Sequence, residues 1–216
     1  MATIPTLHYI FDPLCGWCYG VAPLIKAAQR LSGLQIALHG GGMLTGAGRR
    51  VITPELRNYI MAHDQRIAAL TGQTFGLAYT DGLLQDPQII LDSEPPTTAI
   101  LAAQAVASKG LDMLQELQQA HYEHGLAINQ TIILQQLAQD LGINGPDYAA
   151  AYKAASGAPT LLHIETSRKL LRQLGRSGFP TLALEHQDAL TALEHGAYLG
   201  RPKAWQTYLN HLLAAS

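Results

Sequence analysis

The chain has 216 residues, 48% of them apolar and 14% charged, which suits one large domain with or without an insertion and excludes a disordered chain. Its formal net charge is −2, with seven basic and seven acidic side chains in residues 1–110 and seven and nine in the remainder, so no basic face is offered to nucleic acid or an anionic membrane. Apolar runs fall far short of the roughly 20 residues of a membrane span, and Met1-Ala2-Thr3-Ile4-Pro5 has neither the basic nor the apolar region of a secretory leader; a cytoplasmic protein is expected.

Thr6 to Phe11 alternates as a strand does, and Asp12-Pro13-Leu14 is turn chemistry. Val21, Leu24, Ile25, Ala28 and Leu31 recur at helical spacing and Gly33 closes the segment, which predicts a single helix directly after the turn. The chain's two cysteines fall at its start, in Cys15-Gly16-Trp17-Cys18. Residues three apart on a helix lie about 5 to 6 Å from each other, within reach of a disulfide. Unsatisfied N–H groups and the dipole favour negative charge at a helix start, so Cys15 is the expected thiolate nucleophile and Cys18 the resolving thiol. A structural zinc site needs four ligands, and none of the nine histidines falls in a second pair of convincing spacing, so no metal is expected. In a reducing compartment such a pair is more often catalytic or metal-binding than structural.

Leu34 to Leu38 alternates as a second strand and ends in His39-Gly40-Gly41-Gly42-Met43. No Gly-Lys-Ser/Thr follows, so a tight loop allowing close backbone approach is favoured over a phosphate loop. Helices then dominate for more than a hundred residues. Thr53-Pro54-Glu55 is a cap followed by Leu56, Tyr59, Ile60, His63, Ile67 and Leu70 on one stripe up to Gly72. Residues 72–96 are broken by Phe75-Gly76, Asp81-Gly82, Asp86-Pro87 and Glu94-Pro95-Pro96; a long irregular segment of this kind is a candidate wall of the active site. Further helices are expected over Thr97–Ser108, through Leu111, Leu114, Leu117, His121 and His124, and over Thr131–Leu141, Pro146–Ser156 and Leu161–Leu174. Strand-like runs at Leu182–Glu185 and Asp188–Leu193 and a last amphipathic helix carrying Trp205, Tyr208, Leu209 and Leu212 close the sheet begun at Thr6.

Strand, Cys-x-x-Cys at a helix start, second strand, and a late Gly178-Phe179-Pro180-Thr181 before two strands and a terminal helix resemble the thioredoxin fold. The long helical stretch is similar to the insertion of the DsbA-like family. More narrowly, Tyr9 to Gly20, the Gly-Gly-Met after the second strand and Phe179-Pro180-Thr181 resemble the FrnE-like branch, described as protein disulfide isomerases. The resemblance implies an α/β thioredoxin-like domain formed by residues 1–43 and 160–216, with an inserted helical subdomain over 44–159. It assigns Cys15 as nucleophile and Cys18 as resolving cysteine, and matches Pro180 to the family's cis-proline, which faces the active-site disulfide. Phe179, whose backbone can pair with an extended substrate, joins Pro180, Gly16 and Trp17 as the expected substrate-binding residues.

The expected activity is thiol–disulfide exchange on proteins or peptides, with glutathione as an eligible co-substrate and no metal, flavin or nucleotide. The Gly16-Trp17 dipeptide does not indicate oxidase, reductase or isomerase, since about 30 mV is about 1.4 kcal/mol for a two-electron couple. Two rivals stand beside it: a glutathione-dependent transferase or isomerase of the kappa or hydroxychromene-carboxylate type, whose members usually carry a serine or lone cysteine at the site, and a redox-sensing or chaperone module without turnover. Trp17 is read as a substrate platform, Asp12 as a turn or capping residue rather than a proton relay, and His63, His121 and His124 as helix-packing residues.

Overall fold

A computed structural model describes residues 4–187 and 189–214. Strand β1 (Thr6–Phe11) lies where its alternation puts it, and the turn after it leads into two short helices, α1 (Gly16–Gly20) and α2 (Ala22–Gln29), in place of the single helix expected. The break has a local cause. Pro23 has no N–H to give to the carbonyl four residues back, so the ladder is interrupted and restarts with Leu24 and Ile25 donating to the Val21 carbonyl at 2.8 and 3.1 Å.

Strand β2 (Gln35–Gly40) follows, then β3 (Arg50–Val51) and α3 (Pro54–Thr71). The Thr53 hydroxyl accepts from the Leu56 N–H at 3.2 Å, and Gly72 ends the helix in the left-handed conformation. Of the expected α3 stripe Ile67 is buried, while Tyr59 and Leu70 are exposed; Asp64 takes a buried place instead. The irregular segment contains a π-turn (Ala78–Gly82), a short 3-10 turn (Leu83–Gln85) and β4 (Ile90–Leu91), which pairs antiparallel with β3. Glu94-Pro95-Pro96, read as breakers, form the first turn of α4 (Glu94–Ala107), where a missing N–H costs nothing.

Helices α5 (Gly110–Tyr122), α6 (Thr131–Asp140), α7 (Gly145–Ala155) and α8 (Ala158–Gln173) complete the helical run, with His124 beyond the end of α5. Strands β5 (Thr181–His186) and β6 (Ala189–Leu193) and helix α9 (Pro202–Ala214) finish the chain. Asp188, where the last strand was expected to begin, lies outside the described residues. The main sheet has the order β2-β1-β5-β6, with β1 and β2 parallel and the other pairs antiparallel.

Leu7, Tyr9 and Phe11 of β1 and Leu182 and Leu184 of β5 share one buried core with Leu24 and Ile25 of α2 and Trp205 and Leu209 of α9. That same core continues through Ala99 and Ala103 of α4, Leu114 and Leu117 of α5 and Leu134 of α6. The cysteine motif therefore follows an inner strand of the sheet, and both cysteines belong to the core that sheet and helices share. No helix among the described residues is long and apolar enough to cross a membrane.

Candidate active site

Asp12 fixes the loop that carries the cysteines. Its carboxyl is fully buried; Oδ1 accepts from the Leu14 N–H at 2.9 Å and from the Ser93 hydroxyl at 2.8 Å, and Oδ2 accepts from the Met43 N–H. Burial raises its pKa, and these hydrogen bonds pull it back. Its oxygens are thus committed to backbone and hydroxyl donors on three segments, a positioning task. The Asp12 carbonyl in turn accepts from the Cys15 N–H at 3.1 Å.

Cys15 caps the start of α1 in an extended conformation, and Cys18 lies inside the helix. Both are free thiols. Cys15 is 6% exposed and Cys18 0%, so the first reaches the surface and the second lies behind it. Burial pushes the Cys18 thiol well up, and the neighbouring Cys15 pushes it further. The Cys15 thiol donates to the Phe179 carbonyl at 3.6 Å, and the Phe179–Pro180 bond is cis. The glycine loop after β2 passes directly under the Phe179 ring, because a Cβ at Gly41 would overlap that ring. Arg168 of α8 ties the same loop down by donating to the Gly41 carbonyl at 2.7 Å and to that of Gly42.

Gly16 lies under α3, where a Cβ would come within 2.8 Å of Asp64 Oδ1 and 3.1 Å of Ile67 Cδ1. Its lack of a side chain is what lets the motif meet that helix. Trp17 is half-buried; it packs against the main core, has the Arg66 guanidinium 5.8 Å from its ring, and forms part of the cleft beside Cys15.

That cleft, about 170 Å³, is walled by Leu14, Met43, Ile60, Leu84 and Leu91, and Cys15 lines it too. Leu84 and Leu91 come from the irregular segment proposed from the sequence as a wall. Phe179 touches Cys15 from another side, and neither Phe179 nor Pro180 lines the cleft. His63 reaches the cleft beside Tyr59, their rings 4.6 Å apart. His121 is buried against Tyr79 and Tyr122 and is held neutral, its pKa lowered by burial to about 4. Among the described residues no group of three or more His, Cys, Asp or Glu is placed to hold a metal ion.

Asp64 is the cleft residue that sequence reasoning missed. It is 5% exposed, accepts from the Tyr79 hydroxyl at 3.0 Å, and burial raises its carboxyl to about 7 against the pull of that hydrogen bond. The available signal was an aspartate four residues after Ile60 and three before Ile67, on the buried stripe of an amphipathic helix.

Solved structures with this architecture include a cytosolic disulfide reductase, DsbM, from Pseudomonas aeruginosa. It is 47% identical, with 98% of this chain and 100% of that chain covered and a TM-score of 0.92. The same protein with GSH matches at 47% identity and a TM-score of 0.90, over 96% and 98% of the two chains. A protein from Nitrosomonas europaea, provisionally described as a protein disulfide isomerase, is 26% identical over 98% of both chains with a TM-score of 0.78. A 2-hydroxychromene-2-carboxylate isomerase shares the fold alone, at 12% identity over 97% and 98% of the chains and a TM-score of 0.60. No curated protein sequence matches the chain. The model of the DSBA-like thioredoxin domain matches residues 6–197, spanning both cysteines, the helical run and the Phe179–Pro180 segment, and the chain belongs to that family.

Proposed function

We infer that this thiol–disulfide oxidoreductase works in the reducing direction, in the cytoplasm, on disulfides of proteins or peptides, and that glutathione returns it to the dithiol. The observation that carries the reading is the asymmetry of the cysteine pair: Cys15 opens onto a cleft while Cys18 is wholly enclosed behind it with its thiol pushed up. The likeness to a cytosolic disulfide reductase, solved also with GSH, supports the direction, the location and the co-substrate.

In this reading the Cys15 thiolate attacks one sulfur of a substrate disulfide; the Cys15–substrate bond forms and the other half leaves as a thiolate. Cys18 then loses its proton and attacks Cys15, releasing the second thiol and closing the Cys15–Cys18 disulfide. Two glutathione thiols give up two electrons and two protons to reopen it, forming glutathione disulfide. Once the Cys15 thiol is consumed, the Phe179 carbonyl is free to accept from a backbone N–H of the bound substrate. Gly16 holds the motif against α3, and Trp17 offers the substrate an aromatic wall.

A Cys18→Ser variant incubated with a disulfide-bonded peptide is expected to accumulate a mixed disulfide at Cys15, visible by mass spectrometry and removed by dithiothreitol. No adduct, or an adduct elsewhere, sinks the assignment. Equilibration of the wild-type pair with glutathione buffers tests direction, since a pair that glutathione cannot reduce is incompatible with the cycle. The isomerase fold likeness keeps one rival in view, favoured if Cys18→Ser turns over a glutathione-dependent isomerisation at the wild-type rate.

A further inference from the structure

Thiol exchange releases a thiolate, and the higher the pKa of that thiol the more slowly it leaves, so a proton supplied as it departs speeds the step for an alkyl thiol. The cleft beside Cys15 is apolar on most of its surface, yet one carboxyl reaches into it. Asp64 lines the cleft with Cys15 and Gly16, its Oδ1 facing Gly16 and its Oδ2 held by the Tyr79 hydroxyl. On its other side Asp64 also lines a second cavity of about 330 Å³, with Gln65, Thr80 and Asp81, the last exposed to solvent. A single buried carboxyl thus separates the place where a leaving sulfur would emerge from a groove that can resupply a proton.

We propose that Asp64 is the proton donor of the Cys15 cleft, protonating the thiolate that departs when Cys15 attacks a substrate disulfide, and that it is reloaded through the groove on its far side. The proposal rests on the exchange reading above. The Cys15 thiolate attacks R–S–S–R′; the Cys15–S–R bond forms, the S–S bond breaks, and its electron pair leaves on R′–S⁻. The Asp64 proton passes to that sulfur, giving R′–SH and the Asp64 carboxylate, which then takes a proton from water.

The surroundings keep this carboxyl able to do so. The titratable groups that share the cleft with it are Cys15, Tyr79 from the π-turn, His121 and Tyr122 from α5, and Tyr59 and His63 of its own helix, and on the groove side Asp81. Burial holds Tyr79 and Tyr122 well above the usual phenol range and His121 near 4, so none of these three carries a charge near neutral pH. With burial dominant, Asp64 itself titrates at about 7, where a donor works best near neutral pH. Two cations of the same helix are engaged elsewhere: Arg66 stands over Trp17, and Arg57 donates to the Thr80 carbonyl at 3.4 Å and pairs with Asp81 at 4.0 Å.

The test compares two small uncharged disulfides in single turnovers of the reduced protein. Bis(2-hydroxyethyl) disulfide releases an alkyl thiolate of high pKa, whose departure a proton donor speeds; 2,2′-dipyridyl disulfide releases a stabilised aromatic one that gains little from a donor. Asp64→Asn keeps the size and the acceptor for Tyr79. It is expected to slow the alkyl substrate by about a hundredfold, the lower end of what a general acid supplies, with the aromatic rate within about twofold of wild type. The ratio of the two rates cancels the ionisation of Cys15. In the wild type that ratio falls as pH rises through about 7; in Asp64→Asn it is flat, and in Tyr79→Phe the fall moves to higher pH because the bond that lowers the pKa is gone. Equal slowing of both substrates by Asp64→Asn, or a ratio flattened by His63→Gln with Asp64 intact, overturns the proposal. If Cys15→Ser reacts with the aromatic disulfide as fast as wild type, the exchange reading itself fails; an unchanged ratio in a protein whose Cys15 does react removes only the role of Asp64.

Discussion

The carbonyl oxygen of Phe179 lies 3.6 Å from Sγ of Cys15, although 164 residues separate them in the chain, and the ring of the same Phe179 occupies the space a side chain at Gly41 would need. One residue therefore touches the reactive sulfur through its backbone and leans on the glycine loop through its side chain.

Gly41→Ala is expected to push Phe179 off Cys15. The added methyl would overlap Cε1 and Cζ of Phe179, so the ring has to move, and the cost falls in the usual overpacking range of about 1–3 kcal/mol. For a chain of this size that is a melting-point loss of roughly 2 to 12 °C, together with slower disulfide reduction. Gly178→Ala serves as the comparison, since nothing lies within 4 Å of its added methyl. Equal behaviour of the two variants in thermal melts and in turnover would contradict the packing relationship.

Asp12→Ala removes an acceptor shared by Leu14, Met43 and Ser93. Two backbone N–H groups and a hydroxyl would be left in a dry site, and each unsatisfied buried donor costs about 1–3 kcal/mol. Denaturant unfolding is expected to show a loss of about 3 kcal/mol or more. Ser93→Ala leaves the carboxylate two other donors but also takes away the acceptor of the Leu44 N–H, and should lose about 1–2 kcal/mol. A loss in Asp12→Ala no larger than in Ser93→Ala would show that Asp12 does not tie these three segments.

Much of this was legible because it is local. Alternation places β1, and Thr53 with Gly72 mark both ends of α3. The glycine loop was legible as a close approach, though not its partner, since Phe179 lies far along the chain. Pro23 breaks the backbone ladder inside a continuous helical stripe, so the stripe alone suggests one helix, while Pro95 and Pro96 look like breakers although a first helical turn tolerates them. Strands β3 and β4 have two residues each, too few to show a period. Asp64 was hidden by chemistry: a carboxylate is normally assigned to the wet face of a helix, and the Tyr79 that keeps it company comes from an irregular segment whose path local pattern does not fix.

The buried position of Cys18 makes the two thiols distinguishable by alkylation. Cys18 is enclosed and its thiol is raised, first by burial and then by Cys15, and each pH unit of such a rise removes tenfold of the thiolate. Limited iodoacetamide treatment of the native reduced protein at pH 7.5 should therefore add one carbamidomethyl group, at Cys15, with Cys18 reacting roughly tenfold or more slowly until the chain is unfolded. Peptide mapping checks this. Comparable labelling of both cysteines in the native protein would mean that Cys18 is not enclosed as the structure places it.

Asp64 also makes the stability of the fold depend on pH, in the direction opposite to a salt-bridged carboxylate. Its carboxyl titrates at about 7 in the folded protein and at about 3.9 in an unfolded chain. Between those values the folded state holds a proton that the unfolded state has released, so stability falls as pH rises through the window. The slope contributed by this one group is at most about 1.4 kcal/mol per pH unit. Asp64→Asn keeps an acceptor for Tyr79 and has nothing to titrate. Its melting temperature relative to wild type is therefore expected to rise steadily from pH 4 to pH 7 and to level off above. Scanning calorimetry of the two proteins at several pH values across this window measures the difference directly. A gap that narrows as pH rises would mean that the carboxylate is stabilised by a cation in the folded protein, and Asp64 could then hold no proton to give at neutral pH.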